Sequence, residues 1–274
     1  MKRTFFRTVF LGFLLGMTWN AATAHEMFLK AEDYFLAPDT SMVLKLLNGT
    51  FDESLNAIAV ERMQDVSLVY NGQTIHPPLS AWYDAENISF LDIETAAPGT
   101  YVAGVSTRQN MITLSAADFT SYLKHDGILD TLTEFEKTGS NSEVRERYSK
   151  HVRMIFQVGE KRTEDYSRAL GYPVEILLQD NPYDLTVGDT LGFQITYDSK
   201  PIANQLVYAS YQDFPGGDEA AAHAITVRSD EKGLASFEIK AKGIWYISLI
   251  HMKKIDDPDA DYQSDWATVT FEIR

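Results

Sequence analysis

Alternation of apolar and polar positions dominates the chain. Between residues 26 and 114 it marks short strands at 41–47, 66–70, 88–93 and 99–106, the last preceded by Ala97-Pro98. Beyond residue 172 the alternation is cleaner, at 174–178, 190–197, 205–211, 224–228, 234–239, 244–252 and 266–273. Turns at Asp198-Ser199, Asp230-Glu231-Lys232-Gly233 and Lys242-Gly243 separate several of these runs. Seven strands at this spacing predict a β-sandwich of immunoglobulin-like or transthyretin-like kind. Between the two stretches the period changes. Ser115-Ala116-Ala117-Asp118 reads as a capping box, with Asp in place of the usual Glu, and leads into Phe119, Tyr122 and Leu123 at helical spacing. Leu129, Leu132 and Phe135 carry a second helical face up to Gly139. Asn141 can cap a third helical stretch over 142–151, whose Glu143, Arg145, Glu146 and Arg147 read as a solvated face. The expected fold is therefore mainly β. A β-rich domain over 25–165, with a helical segment about 116–151, precedes a sandwich over 172–274, and the boundary falls in 161–171.

The first 24 residues have a different character. Lys2, Arg3 and Arg7 precede an apolar run over 9–19, and Ala22-Thr23-Ala24 fits a signal-peptidase site. Residues 1–24 are thus expected to be a signal peptide, which makes the protein periplasmic or otherwise exported. No stretch reaches the roughly 18 apolar residues of a membrane helix, so no stable membrane insertion is expected. Cleavage after Ala24 would leave His25 with a free α-amine beside its imidazole.

Charge and cysteine content narrow the chemistry. Three of the 24 basic residues lie in the leader and all 39 acidic ones lie beyond it, which leaves 21 basic residues and a formal charge of −18 on the mature chain. Nucleic acid is not an expected partner, because binding it requires a basic surface. The chain has no cysteine, so a bound metal would be held by nitrogen and oxygen atoms alone. There is no Gly-x-Ser-x-Gly elbow, phosphate-cradling glycine loop or His-Glu-x-x-His helix, and no catalytic residue is assigned.

Two histidines stand out. At a processed terminus His25 would offer an amine of pKa about 7.7 and an imidazole of pKa about 6.5, a chelating pair suited to nickel, cobalt, copper or zinc. His251 lies near the end of the 244–252 strand, on the face it shares with Trp245, Ile247 and Leu249. Glu26 adds an oxygen beside His25. The run Asp257, Asp259 and Asp261 has the spacing of a calcium loop but lacks its glycine and terminal glutamate, and reads as a solvated hairpin tip. His76 and His223 read as exposed loop residues, and His125 and His151 as helix-end residues.

The segments "HEMFL", "PDTSMVLKLLNGTF", "LGYPVEILLQDNPYDLTVGDTLGFQITYDSKPIANQLV", "GIWYISLIHM" and "SDWATVTFEIR" together resemble the DUF4198 family over nearly the whole mature chain. The resemblance implies a β-rich amino-terminal region, a carboxy-terminal sandwich and an association with periplasmic nickel and cobalt uptake. It puts a metal-handling role on His25 and His251, with Glu26 as an oxygen ligand or a support to the ligands. A membrane metal-uptake transporter is the partner this implies. Two other readings stand beside it. One is a non-metal module that recognises carbohydrate or protein through Trp82, Tyr83 and Tyr211; the other is a copper oxidase built on a histidine brace at His25.

Overall fold

A computed structural model describes residues 25–215 and 223–274; the expected leader at 1–24 lies outside the described residues. In chain order the elements are β1 (Glu26–Lys30), β2 (Phe35–Leu36), β3 (Ser41–Gly49), β4 (Met63–Tyr70), β5 (Gln73–Ile75), β6 (Trp82–Ala85), β7 (Ile88–Glu94), β8 (Gly99–Thr107) and β9 (Asn110–Leu114). Two helices follow, α1 (Ala116–His125) and α2 (Leu129–Thr138). The remaining strands are β10 (Val144–Val158), β11 (Val174–Leu178), β12 (Thr190–Tyr197), β13 (Lys200–Pro201), β14 (Leu206–Tyr211), β15 (Ile225–Arg228), β16 (Leu234–Glu238), β17 (Gly243–Lys254) and β18 (Tyr262–Ile273). The protein is mainly β, as the alternation predicts.

The strands form three sheets. β1, β3, β7 and β6 make a small antiparallel sheet in that order. The central sheet runs β15-β14-β17-β18-β10-β8-β4-β5, with β9 and β2 paired to the two ends of β10. β11, β12, β13 and β16 make the third. The central sheet draws strands from both sides of residues 161–171, because β10 pairs with β18 in parallel from Glu146↔Tyr262 to Met154↔Thr270.

Alternation within the central strands sends side chains to two cores. Trp245, Ile247, Val269 and Phe271 face the third sheet and meet Val174, Ile176, Phe193 and Ile195; this is the carboxy-terminal sandwich. On the opposite face, Tyr101, Val105, Met154 and Phe156 meet Leu29, Leu44, Leu46 and Leu91 of the small sheet. Each such side chain, fully buried, contributes about 1.5–3 kcal/mol of apolar burial. The helices cover that same face beside the small sheet, where Phe119, Leu123 and Phe135 pack with Tyr262 and Trp266. A crevice therefore runs between the small sheet and the helix pair, floored by β10, β17 and β18.

Local chemistry sets the helix ends. The Ser115 hydroxyl accepts from the Asp118 N–H at 3.1 Å, the N-cap half of the expected capping box, and donates to the Asp118 carboxylate at 2.7 Å in place of the reciprocal backbone bond. Gly139 ends α2 in the left-handed region at φ 60°.

The helix expected over 142–151 is instead the start of β10. Val144, Glu146, Tyr148 and Lys150 point to the crevice, while Ser149 and His151 face the third sheet. Hydrogen-bonding partners on both edges, β9 and β18, settle the strand. The charges that read as a solvated helical face have partners of their own. Arg145 pairs with Asp261 and Arg147 with Asp257, each at 3.1 Å, and Glu146 is buried. The aspartates of the calcium-like spacing thus serve as counter-charges to β10. The Asp259 backbone N–H, and then Arg147, hold the Asp257 carboxyl below the usual range, and hydrogen bonds from the Arg145 side chain and backbone do the same for Asp261.

Candidate functional site

The crevice is built around the first described residue. β1 pairs with the end of β3, Glu26 opposite Gly49, and this leaves His25 at the mouth. The Lys150 ammonium donates to the His25 carbonyl and, at 2.8 Å, to Asn48 Oδ1. Phe28 anchors the strand in an aromatic cluster, 5.2 Å from the ring centres of both Phe51 and Tyr246.

Around this anchor the fold gathers residues that are remote in sequence. His25, Glu26, His125, Asp126 and His223 line one pocket with Gly49, Thr50, Phe51 and Tyr246. Its volume of about 60 Å³ holds an ion with a water or two rather than an organic molecule. His125 and Asp126 come from the carboxy-terminal end of α1, where the helix dipole favours a cation. The His223 ring shares a hydrogen bond of 2.8 Å between its Nδ1 and the Tyr246 hydroxyl, and packs 4.8 Å from the Tyr208 ring centre.

The electrostatics favour neutral imidazoles. Burial, then the positive charges of Lys150 and His125, hold His25 below the ordinary histidine range. Burial alone pushes His223 down to about 4. A neutral imidazole is the form that ligates metal. Burial, then the Glu26 carboxylate, raises Asp126 well above the usual range. Asp126 Oδ2 is buried without a hydrogen-bond partner, an orphaned acceptor beside His125.

Nitrogen and carboxylate donors suit nickel, cobalt, copper or zinc better than calcium or magnesium. Among the described residues no three His, Cys, Asp or Glu side chains stand as a ready ligand cluster. Ion binding therefore requires side chains to turn toward a common point. His125, whose side chain is 51% exposed and 3.9 Å from Asp126, has the room to do so.

The structure brings His25 and Glu26 together and does not bring His251 to them. β17 pairs with β18 without a bulge, so Tyr246 and His251 fall on opposite faces of the sheet. His251 faces the third sheet, with its Nδ1 2.9 Å from Gln205 Oε1 and its ring 4.8 Å from Tyr197. The expected shared centre of His25 and His251 is corrected on this ground. His151 also faces away, toward Ser106 and Tyr172. Sequence reasoning missed His125, Asp126 and His223. The only local signal was His125-Asp126 at a helix end; nothing in the sequence around His223 connects it to residue 25. Of the aromatics offered for a non-metal module, Trp82 is buried, Tyr211 packs 4.8 Å from Trp245, and Tyr83 is exposed.

Among curated proteins none matches this chain. Similar solved structures include the D0-D1 domain of intimin, 13% identical, covering 90% of this chain and 97% of that one with a TM-score of 0.21. The Yersinia pseudotuberculosis adhesin InvE is 8% identical (92% of this chain, 59% of that one, TM-score 0.23). Trypsin-activated alpha-2-macroglobulin from Escherichia coli is 13% identical (92% and 16%, TM-score 0.21). At these TM-scores the likenesses bear on neither mechanism nor ligand. The family model described as "Domain of unknown function (DUF4198)" matches residues 22–253, most of the chain, and the protein belongs to that family.

Proposed function

We propose that the protein is an exported binding protein for a divalent transition ion, with nickel or cobalt favoured, which it collects at the His25 pocket and presents to an uptake system in the membrane. The single observation that carries this reading is the convergence of three of the chain's six histidines, His25, His125 and His223, with Glu26 and Asp126 on one small pocket. The set is drawn from the residue before β1, the end of α1 and the segment before β15, which are remote in sequence. The role requires capture and release, and no catalytic step is assigned.

The test is calorimetric titration of the chain starting at His25 with nickel, cobalt, copper and zinc, beside a version extended by one residue and beside His223→Ala. The reading expects binding of one ion per chain, weakened at least about tenfold by the extension and by the substitution. Absence of binding, or binding indifferent to both changes, contradicts it.

A further inference from the structure

A second, larger cavity of about 420 Å³ adjoins the ion pocket and shares His25 with it. Its floor is the central sheet, where Lys150, Glu146 and Trp266 are buried; its rim is exposed at Asn56, Ala59 and Asn110. The size falls in the range of about 300–1,000 Å³ typical of small-molecule sites.

The lining carries an unusual charge arrangement for so acidic a chain. Arg62 and Lys150 both reach the cavity and both flank the Tyr148 ring, at 5.3 Å and 6.0 Å from its centre. Lys150 also lies 5.2 Å from the Trp266 ring centre. Among the described residues neither cation is in an ion pair. Lys150 donates only to neutral acceptors, the His25 carbonyl and Asn48, and Arg62 Nε is buried without a partner. The one carboxylate in the lining is engaged elsewhere, since Glu146 accepts from Ser264 and, at 3.1 Å, from Tyr122. A buried ammonium with no carboxylate in direct contact, beside a guanidinium N–H with no acceptor, leaves donors that an anion of the right shape would satisfy.

The walls define the rest of the ligand. Tyr122, Tyr148 and Trp266 offer flat apolar faces, and Ile112 and Leu114 close one side. We infer that this cavity binds a small organic carboxylate with a planar apolar body, the carboxylate lying between Arg62 and Lys150 and the body stacked along Tyr148 and Trp266. An organic carboxylate is favoured over a bare inorganic anion because Tyr122, Tyr148, Trp266, Ile112 and Leu114 line the same cavity as the two cations and would be left uncovered by an ion alone. The inference does not depend on metal binding at His25.

The experiment uses the chain starting at His25, dialysed against a chelator so that no ion is bound. Benzoate, benzyl alcohol and inorganic phosphate are titrated by calorimetry, and the Trp266 indole N–H is followed in the nitrogen–proton spectrum. Benzoate is expected to bind with a Kd of about 1 mM or tighter and to shift the Trp266 signal, with benzyl alcohol and phosphate each at least about tenfold weaker. Arg62→Met, at a partly exposed position, is expected to weaken benzoate at least about tenfold while His223→Ala leaves it unchanged. Equal binding of benzoate and benzyl alcohol, or of benzoate and phosphate, would overturn the inference. So would an unmoved Trp266 signal at saturating benzoate, or unchanged affinity in a folded Arg62→Met variant. The last comparison also separates this site from the ion pocket, whose failure would show in the nickel titration instead.

Discussion

Single residues in the crevice carry charge that the fold has withdrawn from water, and Glu146 gives the clearest consequence. Burial raises its carboxyl from 4.5 to about 6, against the lowering effect of the Ser264 and Tyr122 hydroxyls. A carboxyl raised on folding contributes stability that is present below pH 4.5 and lost as the pH rises through about 6. Over that interval the loss is about 2 kcal/mol. Glu146→Gln keeps the shape and removes the titration. Its unfolding free energy relative to the parent should therefore rise by about 2 kcal/mol between pH about 4.5 and about 7.5, measured by urea unfolding at the two values. A difference that does not change with pH would mean that Glu146 is better solvated than its setting indicates. At this scale the sequence could single out His25 and Glu26 because the expected cleavage site beside them is a local pattern. It was silent about His223 because its relation to residue 25 exists only through β17 and Tyr246.

The elements show where pattern reasoning succeeds and where composition misleads it. β11 and β12 fall at the predicted 174–178 and 190–197, because an apolar face alternating with a polar one leaves little choice of register. β10 was hidden by its charges. Arg145, Glu146 and Arg147 look solvated until Asp257, Asp261, Tyr122 and Ser264 are known to face them, and those partners lie on other elements. The end of β3 carries a sharper constraint. A Cβ on Gly49 would stand 2.3 Å from the Glu53 carbonyl oxygen and 3.2 Å from the Leu55 nitrogen, both backbone atoms that cannot swing aside. Gly49→Ala should destabilise the protein by about 1–3 kcal/mol in urea unfolding and weaken ion binding as well, because Gly49 and Thr50 line the pocket. Full stability in that variant would show that the 49–55 turn yields more readily than its backbone contacts imply.

In the whole molecule, one central sheet serves two purposes. Its face toward the third sheet is a packed sandwich that holds His251 and His151, and its other face floors a crevice in which an acidic protein has collected imidazoles, carboxylates and the cations Arg62 and Lys150. The mainly β class and the carboxy-terminal sandwich were legible from alternation alone. The crevice was not, because it depends on the parallel pairing of β10 with β18 across more than a hundred residues. That topology also yields a prediction at a distance: His251→Ala should leave ion affinity unchanged, whereas His223→Ala should not, since the sheet separates the first from His25. The most direct test of the metal reading is X-ray absorption at the nickel edge of the loaded chain starting at His25, in which imidazole rings give a distinctive outer-shell scattering. The account predicts a nitrogen and oxygen shell whose imidazole count falls by one in His223→Ala and is the same in His251→Ala as in the parent. A count lowered by His251→Ala, or unaltered by His223→Ala, would contradict it.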